Sequence, residues 1–230
     1  DAKREELEAL GIACEFNGHT NEAILQDGKA LGWLVKSPGI PENAPLIEAA
    51  RSAGIAIISE VEFASRYAQK KDEYVVAITG ANGKTTTTSL VAAMLKDAGK
   101  EVACVGNIGK SWARDLAERE NPAAYQVVEV SSFQLDGITS FRPHIAILLN
   151  ITPDHLDRYG DDIAQYADAK WRITSFQTPD DILVLNAEDD LSIERWKSSE
   201  KHHGTQARVV AVSTRKTLNA LRKNLQKQGL

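Results

Sequence analysis

The strand-like run Tyr74-Val75-Val76-Ala77-Ile78 leads straight into Thr79-Gly80-Ala81-Asn82-Gly83-Lys84-Thr85-Thr86. Gly80 and Gly83 let the backbone turn tightly and approach an anion with no Cβ in the way. The helix expected next offers unsatisfied N–H groups and a positive dipole end to phosphate. Lys84 suits the β- and γ-phosphates of a nucleotide, and the Thr85 hydroxyl suits Mg²⁺. The usual pattern GxxxxGK[ST] is incomplete, because Ile78 holds its first glycine position. The preceding strand and following helix favour a phosphate loop over an ordinary turn.

Three further residues could join this chemistry. Glu129 interrupts an apolar strand at its carboxyl end, before Ser131 and Ser132. It reads as a Mg²⁺ ligand beside a phosphate loop, with a plain strand-end charge as the alternative. The serine pair either binds substrate phosphate or caps the next turn. His155 follows another strand end, on the edge where ligands of open α/β sheets gather; it is either a loop residue or a second metal ligand. Lys170 lies three and four positions after Ala167 and Tyr166, on the apolar stripe of a helix that also carries Ile163, Trp171 and Thr174. The stripe points it inward. A desolvated lysine has a depressed pKa and a reactive neutral amine, which can take up CO₂ as a carbamate. A snorkelling or salt-bridged lysine is the alternative.

The elements that must position these groups alternate. Helix Ala2–Leu10, strands Gly11–Phe16 and Leu31–Val35, helix Ala44–Ala53 and strand Ile55–Ser59 read as a partial Rossmann-like α/β domain over residues 1–70. The polar stretch 69–73 reads as a linker. A second domain over 74–230 follows, with strands at Tyr74–Thr79, Val102–Val105, Tyr125–Val130, His144–Ile151 and Ile182–Leu185. Helices are expected at Thr85–Ala98, Ser111–Arg119 and Asp161–Thr174, and a basic helical tail from Ser213. The predicted fold is therefore α/β, a P-loop-type, mostly parallel sheet preceded by a smaller α/β piece.

Composition narrows the class. Of 230 residues, 43% are hydrophobic and 26% charged, ordinary for a globular protein. A net charge of −5 gives no basic face for nucleic acid. No apolar run reaches the ~18 residues of a membrane span, so no membrane insertion is expected. The charged amino terminus carries no sign of a leader. Cys14 and Cys104, far apart and outside any CxxC, read as reduced thiols of a cytoplasmic protein.

Taken together, TGANGKTTTT, Gly106-Asn107-Ile108-Gly109, EVSSFQL (Glu129–Leu135), NITPDHLDRY (Asn150–Tyr159) and YADAK (Tyr166–Lys170) resemble the Mur ligase family. The similarity runs from about Leu31 to Asp190, and Ser37-Pro38-Gly39-Ile40-Pro41 looks like the family's substrate-diphosphate turn. The resemblance implies an ATP-dependent amide ligase of peptidoglycan synthesis, hence of cell wall biogenesis, cell shape and cell division. Its substrates would be UDP-N-acetylmuramoyl-L-alanine and D-glutamate, and it would act as a cytoplasmic monomer. Gly80, Ala81, Asn82, Gly83, Lys84, Thr85 and Thr86 would bind ATP. Thr85 and Glu129 would hold one Mg²⁺, and His155 and carbamylated Lys170 a second, with Lys84, His155 and Lys170 catalytic. Ser37, Pro38, Gly39, Asn107 and Ser131 would contact the UDP-sugar. The family's uridine-gripping first strand, its later HNxxN segment and its third domain have no counterpart, so a truncated ligase is expected. A nucleotide-binding fragment without turnover and another P-loop NTPase or kinase are the rival readings.

Overall fold

A computed structural model describes residues 2–16, 18–20, 25–26, 29–30, 32–68, 73–154, 156–200 and 205–214. The chain divides into two compact units, Asp1–Ile58 and Ser59–Leu230.

The first unit begins with helix α1 (Ala2–Ala9), followed by the short antiparallel pair β1 (Leu25–Gln26) and β2 (Lys29–Ala30). Strand β3 (Trp33–Lys36), helix α2 (Pro45–Ser52) and strand β4 (Ala56–Ser59) form a strand–helix–strand piece in which β3 pairs with β4. Pro45 opens α2, where its missing N–H costs nothing. Ile47 and Ala50 then bury the inner face. The strand expected at Gly11–Phe16 is absent: residues 12–16 join no sheet, and the Glu15 carboxylate instead accepts from the Thr20 amide and hydroxyl. Such local side-chain bonds compete with strand pairing.

In the second unit, helix α3 (Glu60–Ala68) precedes the phosphate-loop strand β5 (Tyr74–Thr79) and helix α4 (Lys84–Asp97). Next come β6 (Val102–Gly106), α5 (Trp112–Glu118), β7 (Tyr125–Glu129), α6 (Ser132–Asp136) and β8 (Ile145–Leu148). The series ends with α7 (Ile163–Trp171), β9 (Ile182–Asn186), α8 (Asp190–Glu200) and β10 (Arg208–Val212). The expected boundary near residue 70 lies elsewhere in the structure. Val61, Ala64 and Ala68 of α3 pack into one core with Val75, Ala103 and Phe141, so the division falls before this helix. Helix α8 and strand β10 were not foreseen from sequence. Beyond residue 214 the expected basic tail lies outside the described residues.

The six strands form one sheet in the order β10-β9-β8-β5-β7-β6, with parallel pairing throughout. Only the connection after β5 runs toward β6; each later one runs back toward β10. Right-handed crossovers therefore place α4 on one face and α5 to α8 on the other. The core agrees. Val76, Ile78 and Val127 pack with Ala92 of α4, while Val75, Ala77 and Val105 pack with Trp112, Leu135 and Ile173 on the opposite side. The chain reversal after β5 puts the phosphate loop between the ends of β7 and β8, in the crevice where open α/β sheets hold ligands.

Candidate functional site

Strand β5 ends where β7 and β8 end. Ile78 is level with Glu129, and Thr79 with Leu148. Gly83 then takes φ +83, the left-handed backbone of a residue preceding a helix without a side-chain cap, and α4 begins at Lys84. Gly80 has a different reason to be glycine: a Cβ there would lie 2.9 Å from the Leu149 Cβ. The first-turn N–H groups of α4 have no intrahelical acceptor and face the loop.

Lys84 folds back onto the loop, its Nζ donating to the carbonyls of Gly80 at 2.9 Å and Ala81 at 2.8 Å. Such carbonyls stand in for the anion that an ammonium of this kind serves. Glu129, 2% exposed, receives the Thr85 hydroxyl on Oε2 at 2.8 Å and the Asn107 amide on Oε1 at 3.0 Å. Two neighbouring ligands of an octahedral Mg²⁺ at ~2.05 Å lie ~2.9 Å apart. The Thr85 and Glu129 oxygens, both hard donors, already have that spacing, so they fit a shared Mg²⁺.

Asn107 reaches Glu129 because of Gly106. This glycine has φ +107, and a Cβ on it would come within 2.3 Å of the Glu129 carbonyl oxygen. The strands close tightly at that point, and the Asn107 amide donates to the same carbonyl at 2.9 Å. The motif had pointed to Asn107; the packing need for Gly106 was not visible in it.

Lys170 is 1% exposed on α7, as the stripe predicted. Its Nζ donates to the Gly80 carbonyl at 2.9 Å and lies 4.4 Å from the centre of the Tyr166 ring. Burial, helped by the charge of Lys84, pushes its pKa down to about 7, against the smaller opposing pull of Asp154. Burial likewise raises Tyr166 to about 12.

Other candidates fall differently. Ser131 caps α6: its hydroxyl accepts from the Gln134 amide, and the Gln134 side chain accepts from the Ser131 amide, a capping box. Of the two roles left open for the serines, capping is the one the hydrogen bonds of Ser131 display. Asn82, whose amide was assigned to ATP, spends it on the Asn150 side chain at 2.9 Å. Ser37, Pro38 and Gly39 form a turn in the first unit, closed by the Ile40 amide on the Ser37 carbonyl at 3.1 Å, beside a cavity of about 610 Å³ lined partly by Lys36, Ser37, Ile40 and Pro41. His155 lies outside the described residues. Among the described residues, no group of three or more His, Cys, Asp or Glu side chains is gathered to hold a metal, and no helix is long and apolar enough to cross a membrane.

Asn150 was singled out only as the start of a motif. Its side chain and carbonyl bind the phosphate loop, a role whose only trace in sequence is an amide residue directly after an apolar strand.

Comparison with known proteins shows the family of the chain. The family model for the Mur ligase middle domain matches residues 78–229. A UDP-N-acetylmuramoylalanine--D-glutamate ligase of Bacteroides fragilis is 47% identical over 207 residues, covering 90% of this chain and 44% of that protein. The ligase of the same description from Porphyromonas gingivalis is 49% identical over 193 residues, covering 84% of this chain and 41% of that protein. The chain thus spans less than half the length of these relatives. Among solved structures, a UDP-N-acetylmuramate:L-alanyl-gamma-D-glutamyl-meso-diaminopimelate ligase from Neisseria meningitides superposes with a TM-score of 0.57 at 21% identity, covering 90% of this chain and 65% of that one. At that identity the likeness is one of fold.

Proposed function

The chain belongs to the Mur ligase family, and from that premise we propose that it carries the ATP-handling part of a ligase joining D-glutamate to UDP-N-acetylmuramoyl-L-alanine. The observation that carries this reading is the meeting of Lys84, Thr85 and Glu129 at three level strand ends, with Glu129 held between Thr85 and Asn107. In the proposed reaction the substrate carboxylate attacks the γ-phosphorus of ATP, giving an acyl phosphate and ADP. The amine of D-glutamate then attacks the acyl carbon, and inorganic phosphate leaves.

The protein supplies positioning and charge. Lys84 turns from the loop carbonyls to the phosphoryl oxygens, and the free amides at the start of α4 hold the rest of the phosphate chain. Thr85 and Glu129 would hold Mg²⁺, which when bound screens the crowded phosphate charge. Lys170, with an amine whose pKa is about 7, suits reaction with CO₂: the ammonium gives up one proton, the neutral nitrogen attacks carbon, a second proton leaves the nitrogen, and the side chain becomes an anionic oxygen ligand. With His155 it would form the second Mg²⁺ site. Asn107, Ser131 and the Ser37–Gly39 turn would meet the UDP-sugar, with the first unit, Asp1–Ile58, serving that substrate and the second, Ser59–Leu230, serving ATP. The setting is a cytoplasmic, monomeric enzyme of cell wall synthesis.

The test is phosphate release from ATP. Release that requires both UDP-N-acetylmuramoyl-L-alanine and D-glutamate supports the ligase, and Lys84→Ala should abolish most of it. Release without either substrate would instead identify an NTPase. Binding without release would identify a nucleotide-binding unit.

A further inference from the structure

We infer that Asn150 is a positioning residue for the phosphate loop, holding the loop's outer backbone so that the amides of Gly83 to Thr86 are the ones left for phosphate. Three hydrogen bonds make the connection. Asn150 Oδ1 accepts from the Asn82 amide at 2.9 Å, Asn150 Nδ2 donates to the Asn82 carbonyl at 3.0 Å, and the Asn150 carbonyl accepts from the Ala81 amide at 2.9 Å. A carboxamide carries donor and acceptor on one planar group, so it can pair with a peptide unit as a neighbouring strand would. The pairing takes two loop amides out of reach of an anion and fixes the turn that aims the next four.

Asn150 is itself held firmly. The Leu149 amide donates to the Thr79 carbonyl at 3.0 Å, the Leu149 carbonyl accepts from Asn186 Nδ2 at 3.0 Å, and the Ile151 amide donates to Asp189 Oδ2 at 2.8 Å. The residues on either side are thus anchored to β5 and to the end of β9. Gly80 packs against Leu149 with no room for a Cβ. The loop has little freedom to find its shape by other means. Correct aim matters because a misplacement of ~1 Å can cost ~10²-fold in a site of this kind. Thr152, by contrast, accepts from the Asn82 side chain at 3.2 Å and not from the loop backbone among the described residues.

This inference rests on the proposed ATP role of the loop, and the experiment separates the two. MgATP binding to the full chain is measured by calorimetry, and amide exchange is followed through residues 74–86. Asn150→Ala should weaken MgATP binding at least tenfold and speed exchange in the loop while β5 stays protected. Asn150→Asp keeps the acceptor and should keep the Asn82 amide protected. Thr152→Val should leave affinity within twofold. An Asn150→Ala affinity within twofold of the parent would overturn the inference, and so would a loss accompanied by faster exchange throughout the sheet, which marks a general folding role. Should Asn150→Ala not fold, an unprotected Asn82 amide in Asn150→Asp would overturn it equally. A parent chain that does not bind MgATP would sink the ATP reading instead, while the exchange pattern would still decide the role of Asn150.

Discussion

Lys84 and Lys170 converge on one acceptor: each donates its Nζ to the carbonyl oxygen of Gly80 at 2.9 Å. Two ammonium groups on a single carbonyl is an arrangement that a phosphate or a change in Lys170 would relieve. It also makes the site a place of stored electrostatic cost, which can be measured.

The cost at Lys170 depends on pH. Its folded pKa of about 7 lies below the ordinary 10.5. Below pH 7 both folded and unfolded chains carry the charge, and the folded state bears the whole desolvation penalty. Between pH 7 and 10.5 the folded state alone sheds its proton, so stability rises with pH across that window. Lys170→Met should therefore stabilise the metal-free chain at pH 6 by on the order of 2–4 kcal/mol. The gain should shrink toward pH 10. Thermal melts in CO₂-depleted buffer at the two pH values check this, and an equal gain at both would contradict it.

Removing the charge of Glu129 tests the metal assignment. Glu129→Gln keeps the shape and can still pair with Thr85 or Asn107. MgATP should bind roughly tenfold more weakly or worse, because a carboxylate ligand is lost. With Mg²⁺ chelated, the variant and parent should bind ATP alike. Calorimetric titrations with and without EDTA provide the comparison.

Away from the site, Glu62 fastens α3 to the turn before β8. Its buried carboxylate accepts from the amides of Thr139, Ser140 and Phe141 and from the hydroxyls of Thr139 and Ser140. Burial alone would raise its pKa, but these bonds, led by the Ser140 hydroxyl, hold it down at about 2. Its contribution is complete above the ordinary 4.5 and is lost as pH falls from there toward 2. Glu62→Gln should cost on the order of 2–3 kcal/mol at pH 7 and much less near pH 2.5. Urea denaturation at both pH values measures the difference.

Much of this was legible in the residues, for identifiable reasons. Strand β5 and helix α4 could be placed within a residue because an apolar run, a glycine pair and a threonine-rich helix start leave few alternatives. Lys170 was seen to point inward because its neighbours at helical spacing are apolar. Helix α8 and strand β10 were missed: Asp190–Glu200 is largely polar with a weak apolar stripe, and Arg208–Val212, among the described residues, pairs along one edge alone, with β9. The boundary was misplaced because the polar stretch 69–73 looks like a linker, while the contacts that tie α3 to the second unit come from residues 70 to 80 positions later. Such long-range pairings leave no local signature. The same holds for Asn150, whose partner is 68 residues away.

The run of crossovers in one direction also gives the sheet unequal thickness. At β5, β6 and β7 it lies between α4 and the helices of the other face, three layers deep. Toward β10, no helix among the described residues covers the α4 side, and Val210 and Val212 are 42% and 48% exposed there. Stiffness in a sheet follows how well both faces are packed. Among the described residues the packing is thus deepest around the phosphate loop, where charge is handled, and shallowest at the β10 edge.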